Sequence, residues 1–298
     1  MPTSAMTASI RGFRASCIML AAGLLASVGM WARSAQPSAM ITFADADLAI
    51  IRRTTLYRAP SGTIVRDADI VETHDGAAQI EVSPTAMFGL SPHSRVLVRI
   101  GHIGATGCDI LVYSLESTIK IERTAPGGLA CLQAAQIRTT LASGSALQRF
   151  DGSAVSLFAE NGDLAVQNMA GSASSRRPIE IRAEQFAEWR AGKQIEILER
   201  PTPEFLASIP SSFHDALVPM ADRMRGVTTE AVALHEVSYG DIAPWLKDLP
   251  QFRRELVRQF LPRLKDPEFR RQIDAELGNS PEWGRILHPV PPPGAVRQ

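Results

Sequence analysis

AVSLFAENGDLAV, residues 154–166, is the stretch whose reading decides the fold. Val155, Leu157 and Ala159 fall on one side of an extended chain, while Ser156 and Phe158 fall on the other. A period of two belongs to a half-buried strand. Asn161-Gly162 follows, a pair that tolerates positive φ, and predicts a type I′ hairpin into DLAV at 163–166. The same pattern recurs outward in AQIEV (78–82), RVLVRI (95–100), DILVYSL (109–115) and TIKIE (118–122). Asp75-Gly76, Ser91-Pro92, Pro126-Gly127-Gly128 and Asp151-Gly152 punctuate these runs as turns. Many short strands at regular spacing, with no helix-length apolar pattern among them, predict an antiparallel β-sandwich or roll from Ala46 to about Ile181. A doubly wound α/β fold does not fit that pattern.

From about Ala183 the period changes. AEQFAEWRAG reads as a short helix stopped at Gly192, and further helices are predicted over 211–226, 239–248, 252–264 and 266–278. Phe252, Leu256 and Phe260 recur at i, i+4 and i+8, with Val257, Leu261 and Leu264 widening the stripe. Pro262 should bend or end that helix early. Asp266 is a good N-cap with Pro267 at the first helical position, and Gly278 is a good stop. Ser280-Pro281 repeats the start signal for a last helix carrying Trp283. The expected class is mainly β with a helical C-terminal region: a β domain over 46–190, a helical module over 200–288 and a Pro-rich, extended tail over 289–298.

The first thirty-five residues give an address. Arg11 and Arg14 precede an uncharged apolar run from Ala15 to Trp31, and small residues follow at Ala32, Ser34 and Ala35. That order is a secretory signal, cleaved after Ser34 or Ala35; the alternative is an uncleaved N-terminal inner-membrane anchor. Both readings place the rest of the chain outside the cytoplasm, in the periplasm. Removal of 1–35 takes three arginines from 31 basic residues and nothing from 31 acidic ones, leaving a net charge of −3. No global basic field exists to hold nucleic acid. Two cysteines remain, Cys108 and Cys131. In an oxidising compartment an even pair suggests one disulfide; two buried free thiols are the alternative.

The strand half resembles a FecR-like domain, the β-rich periplasmic module of iron-dicitrate signal regulators and related envelope proteins. ADIVETHDGAAQIEV (68–82) is similar to the opening signature, with Asp69 and Thr73 matching and Ala68 standing where the family usually has glycine. MFGLSPHSRVLV (87–98) resembles the next hairpin, with Ser94 after a Pro turn, and VSLFAENGDLAV (155–166) a late element. The resemblance covers roughly 46–190 and implies a signalling-accessory module. It carries no chemical residue. The family's anti-sigma regulators have a long tail before their membrane span, and fourteen residues precede the apolar run here. Direct sigma-factor binding is therefore not expected.

Catalytic and metal motifs are incomplete. His235-Glu236 begins a zinc-protease pattern, but Tyr239 stands where the second His belongs. His93 and His102 lack a third ligand at useful spacing. Ser143-Gly144-Ser145 is not a nucleophile elbow, and the adjacent His214-Asp215 cannot form an orienting pair. No cofactor and no enzyme activity is expected, although a glycosidase-type carboxylate pair would be invisible in sequence. The one notable surface feature is a basic strip, Arg253, Arg254, Arg258, Arg270 and Arg271, suited to an anionic partner; a solvated helix face with internally paired charges is the alternative. Trp189, Trp245 and Trp283 read as core or docking anchors. The expected function is an exported, non-enzymatic binding or scaffold protein, possible partners being an envelope protein or peptidoglycan. The rivals are a peptidoglycan-associated structural protein and an envelope hydrolase.

Overall fold

One strand organises the molecule. β9 (Cys108–Arg123) is 16 residues long and buried over most of its length, with a continuous apolar run from Ile110 to Tyr113. Up to Glu116 it pairs with β8 (Arg95–Ile103) and, in parallel, with β10 (Ala130–Ala134). From Ser117 onward it pairs with β7 (Ala86–Leu90) and β12 (Ser145–Phe150). It thereby belongs to two sheets. The computed structural model describes residues 38–103, 107–123, 128–170, 177–248 and 252–289. The predicted signal segment 1–35 lies outside the described residues, as does the proline-rich tail beyond Pro289.

Sheet 1 runs β4 (Ile64–Val65), β1 (Ser38–Ala44), β6 (Ala78–Ser83), β7, β9, β12, β13 (Ala154–Asn161), β16 (Phe186–Arg190) and β17 (Glu196–Leu198). Sheet 2 runs β18 (Val232–Glu236), β3 (Thr55–Ala59), β2 (Leu48–Arg52), β5 (Ile70–Glu72), β8, β9, β10, β11 (Ile137–Leu141), β14 (Leu164–Asn168) and β15 (Ile179–Ile181). Their inner faces close on one core, with Ile80, Phe88 and Val155 from sheet 1 against Val71, Val98 and Leu132 from sheet 2. Each such side chain contributes about 1.5–3 kcal/mol on burial. The chain is mainly antiparallel β with C-terminal helices, as the periodicity predicts. Cys108 and Cys131 are disulfide-bonded, with Cα atoms 6.0 Å apart, and tie β9 to β10.

Local predictions fail where tertiary pairing overrides them. Asn161-Gly162 makes no hairpin: β13 lies in sheet 1 and β14 in sheet 2, so the turn is a corner between sheets. Gly162, at φ +91°, backs onto the neighbouring corner, where a Cβ would sit 2.6 Å from the Ser143 carbonyl oxygen. The Ser91-Pro92 turn likewise carries the chain from β7 to β8 across the sandwich. AEQFAEW is not a helix. Its Phe186–Arg190 stretch is β16, because Ala187 and Trp189 alternate into the sandwich core while Phe186 points outward.

Both outer faces are covered by the C-terminal third. Over sheet 1 lie α1 (Pro203–Ser208) and a strap through Ala221, with Phe205, Ile209 and Phe213 packed on Leu147, Phe158 and Phe186. The helix predicted over 211–226 is absent: a 3₁₀ turn at Ser211–Phe213 gives way to irregular chain. Over sheet 2 lie α2 (Tyr239–Asp248), α3 (Arg253–Phe260), α4 (Pro267–Leu277) and α5 (Pro281–Leu287). Trp245, Phe252, Phe260, Phe269 and Trp283 bury against Ile70, Leu97 and Tyr113. Pro262 ends α3, as expected, by turning Leu261–Lys265 into a 3₁₀ helix. Asp266 caps α4 through the amides of Glu268 and Phe269, and Ser280 caps α5. Gly278 keeps helical dihedrals, so it is not the left-handed stop its position suggests.

Candidate functional site

The residues that carry the family resemblance prove to be structural pins. Asp69 is 1% exposed and accepts bonds from Arg52 (Nη2 at 2.6 Å, Nε at 3.0 and 3.2 Å) and from the Arg66 amide at 2.8 Å. The hydroxyl of Thr73 donates to the Ser91 carbonyl and accepts from the Ser94 amide, both at 2.7 Å. Ser94 is fully buried beside Ser91, whose hydroxyl accepts from the Thr118 amide. These bonds satisfy buried main-chain groups where the chain changes sheets. They leave no free chemistry.

Asp69 nevertheless builds the wall of a cleft of about 540 Å³, lined by the β2–β3 turn, residues 66–69 and Gln259 of α3. Two non-glycine residues of this wall have left-handed backbone, Arg53 at φ +55° and Ala68 at φ +64°. Such conformations cost of order 1 kcal/mol or more and persist only where the surroundings enforce them. Enforcement is visible here. Gln259 donates to the Arg53 carbonyl at 2.9 Å, and the Ala68 amide donates to the Val98 carbonyl at 2.9 Å. Asp67 accepts from Arg99 Nε at 3.0 Å and from the Ile100 amide at 2.9 Å. Arg99 then reaches Glu255 of α3 at 2.7 and 2.8 Å, which seats the helix beside the cleft. Burial pulls the Arg99 pKa down, but its bonds to Asp67 and the charge of Glu255 outweigh that and hold it above the ordinary value.

Both carboxylates of the cleft are thus engaged, and two guanidinium groups are left over. Arg53 and Arg66 are exposed, and neither side chain has a hydrogen-bonding or ionic partner among the described residues. Sequence reading missed both. The signals available were the Arg-Arg-Thr-Thr turn and the alanine in a glycine position, neither of which identifies a cleft alone.

The predicted basic strip divides. Arg254 and Arg258 lie exposed on α3, where Arg258 Nε donates to the Arg254 carbonyl at 3.2 Å. Arg258 precedes Gln259, the residue of α3 that touches the Arg53 turn and lines the cleft. Arg253 is half-buried. On α4, Arg270 is exposed and Arg271 pairs with Glu268 at 2.6 Å. No hydrogen bond or ion pair among the described residues joins the α4 pair to α3. His93 is exposed beside Asp75, and no group of three metal-ligating side chains forms among the described residues. Trp189, Trp245 and Trp283 are all buried in the core clusters.

No family model and no curated protein matches the chain. Two crystal structures, at 1.65 and 2.50 Å, of a candidate anti-sigma factor from Parabacteroides distasonis ATCC 8503 are similar to it, at 11% and 12% identity and TM-scores of 0.36 and 0.37. Each covers 46% of this chain. The chain in turn spans about three fifths of the length of those relatives, 61% and 62%.

Proposed function

We propose that this chain is an exported, periplasmic, non-enzymatic binding protein of the FecR-like kind, an accessory in envelope signalling that grips an acidic envelope protein. The observation that carries the reading is a cleft holding two guanidinium groups, Arg53 and Arg66, that have no partner among the described residues, and lined also by Gln259 of α3, the helix that bears Arg254 and Arg258. Arginine forks match carboxylates in bidentate geometry and lose little hydration on pairing. Engagement of Asp67 and Asp69 by arginines and amides supports binding over hydrolysis. The Cys108–Cys131 disulfide fits an oxidising compartment, and the order of residues 1–35 fits export to it.

The test is in-cell crosslinking of tagged full chain, followed by purification from soluble, membrane and sacculus fractions. A reproducible envelope protein should be captured, and reversal of Arg53, Arg66, Arg254 and Arg258 to glutamate should reduce its capture about tenfold, the loss of roughly 1.4 kcal/mol. Recovery in the soluble fraction alone, or capture indifferent to reversal, would overturn the proposal. Retention on purified sacculi that is lost on reversal would assign the cleft to peptidoglycan instead.

A further inference from the structure

The strap crosses sheet 1 with most of its side chains exposed and its main chain held. Between Phe213 and Val218 only Phe213 is buried; His214, Asp215, Ala216 and Val218 are exposed. The polar main-chain atoms are nevertheless taken by side chains rising from the sheet. Lys120 Nζ donates to the carbonyls of Phe213 and Asp215, both at 2.9 Å. Glu122 accepts from the Leu217 amide at 2.8 Å, and Gln79 donates to the Val218 carbonyl at 2.8 Å. Glu81 accepts from the amides of Met220 and Ala221, at 2.5 and 2.9 Å. Lys120 is 3% exposed and Glu81 6%.

Charged groups buried this deeply cost several kcal/mol each unless they are paired and hydrogen-bonded. Lys120 has two carboxylates in reach, Glu160 at 3.0 Å and Glu122 at 3.8 Å, and its other close partners are strap carbonyls. Main-chain groups are common to every polypeptide. This face therefore holds a chain largely by its backbone and specifies little about sequence.

Two side chains are specified, Phe213 and Leu217, the latter with its Cδ2 3.1 Å from where a Cβ on Gly89 would lie. Phe213 seats against Gly89, where a Cβ would lie 2.8 Å from its ring, so a glycine there makes the room. Beside it an apolar cleft of about 290 Å³ stays open between Phe43, Ala78, Leu217, Val218 and Met220. Mostly exposed chain follows the strap at 222–230, while α1, with Phe205 and Ile209 buried, separates it from the exposed chain at 191–200.

We propose that the outer face of sheet 1 is a polypeptide-binding site, occupied in cis by residues 213–221 and available in trans to an irregular segment of another envelope protein that places an aromatic side chain where Phe213 sits. The occupant already present is such a polypeptide, held by its main chain and by Phe213 and Leu217. The proposal does not depend on the arginine cleft.

The test uses the full chain and a fluorescent synthetic peptide of residues 203–221 as the probe. Because the cis strap competes, apparent affinity scales with the fraction of open face. Phe213→Ala in the protein should tighten peptide binding at least about tenfold, and the same change in the peptide should weaken it about tenfold. A folded Phe213→Ala protein that binds no better, or binding indifferent to the peptide's own phenylalanine, would overturn the proposal. Hydrogen exchange of the unaltered protein decides independently if that variant fails to fold. The amides of Leu217, Met220 and Ala221 should exchange at least about tenfold faster than that of Ile121 in β9. Exchange in step with Ile121 would mean that the strap opens only on global unfolding, and the proposal would fall.

Discussion

The two outer faces of the sandwich are covered by opposite means. Sheet 2 is sealed by apolar packing: Trp245, Phe252, Phe260 and Phe269 bury against the sheet, and Tyr113 meets Phe252 edge-on with ring centroids 4.2 Å apart. Sheet 1 is sealed over Phe213–Ala221 by charged side chains that hold a backbone. Apolar burial is non-directional and gains in proportion to area, so the helices can be anchored by bulk alone. A polar seal gains little net free energy when made but costs heavily when broken, because an unpartnered buried charge remains. The helical cover should therefore supply stability, and the strap should supply specificity of placement.

The largest effect should follow Trp245→Ala. Trp245 is fully buried and its indole N–H donates to Glu72 at 3.0 Å, so truncation removes packing and orphans a carboxylate. A loss of about 4 kcal/mol in denaturant unfolding is expected, at the usual cost of deleting a buried aromatic. A loss below about 1 kcal/mol would break the comparison, since the helices would then not be anchored by bulk.

Lys120→Ala should cost about 3 kcal/mol, because Glu160 and two strap carbonyls lose their buried cation. The location of the damage matters more than its size. Limited proteolysis should cut first within 211–230 while α2–α5 stay protected. Equal cleavage of the helices would show that the two covers are not separable.

Acid should weaken the helical cover locally at Asp266. Bonds from the Phe269 and Glu268 amides and from Arg263 hold its carboxyl below the ordinary range, although partial desolvation opposes them. A carboxyl depressed on folding stabilises above its unfolded pKa, and that contribution is lost as pH falls through the folded value. Protection of the first-turn amides of α4 should fade in that window and survive at neutral pH; Asp266→Ala should abolish the dependence.

Legibility in the sequence follows range. The caps at Asp266 and Ser280, the stop at Pro262 and the alternation of Val155, Leu157 and Ala159 depend on neighbours within a few residues, and the structure realises them. The corner at Asn161-Gly162 and the strand at Phe186–Arg190 depend on which sheet receives the next strand, information that lies elsewhere in the chain. The strap's partners, Gln79, Glu81, Lys120 and Glu122, come from β6 and β9 and meet residues 213–221 only through register. No local pattern marks them. The arginines are intermediate: Arg254 and Arg258 are visible as a helical pair, whereas Arg53 and Arg66 share a cleft only through two turns and the contact to Gln259.

Ala68 offers the smallest effect and the sharpest reading of how the helical cover is seated. The resemblance places glycine at this position, and the observed φ of +64° explains why: without a Cβ, the left-handed region costs nothing. Alanine holds the same geometry because its amide is tied to Val98, its neighbour Asp69 is locked by Arg52, and Asp67 is held by Arg99, which leads to Glu255 of α3. Ala68→Gly relieves strain in the folded state but frees the unfolded chain, and the two terms oppose. Strain relief should win by about 0.5–1 kcal/mol, seen as a small rise in the unfolding midpoint at unchanged slope. A fall in the midpoint would mean that the freedom glycine adds to the unfolded chain outweighs the strain it relieves in this turn.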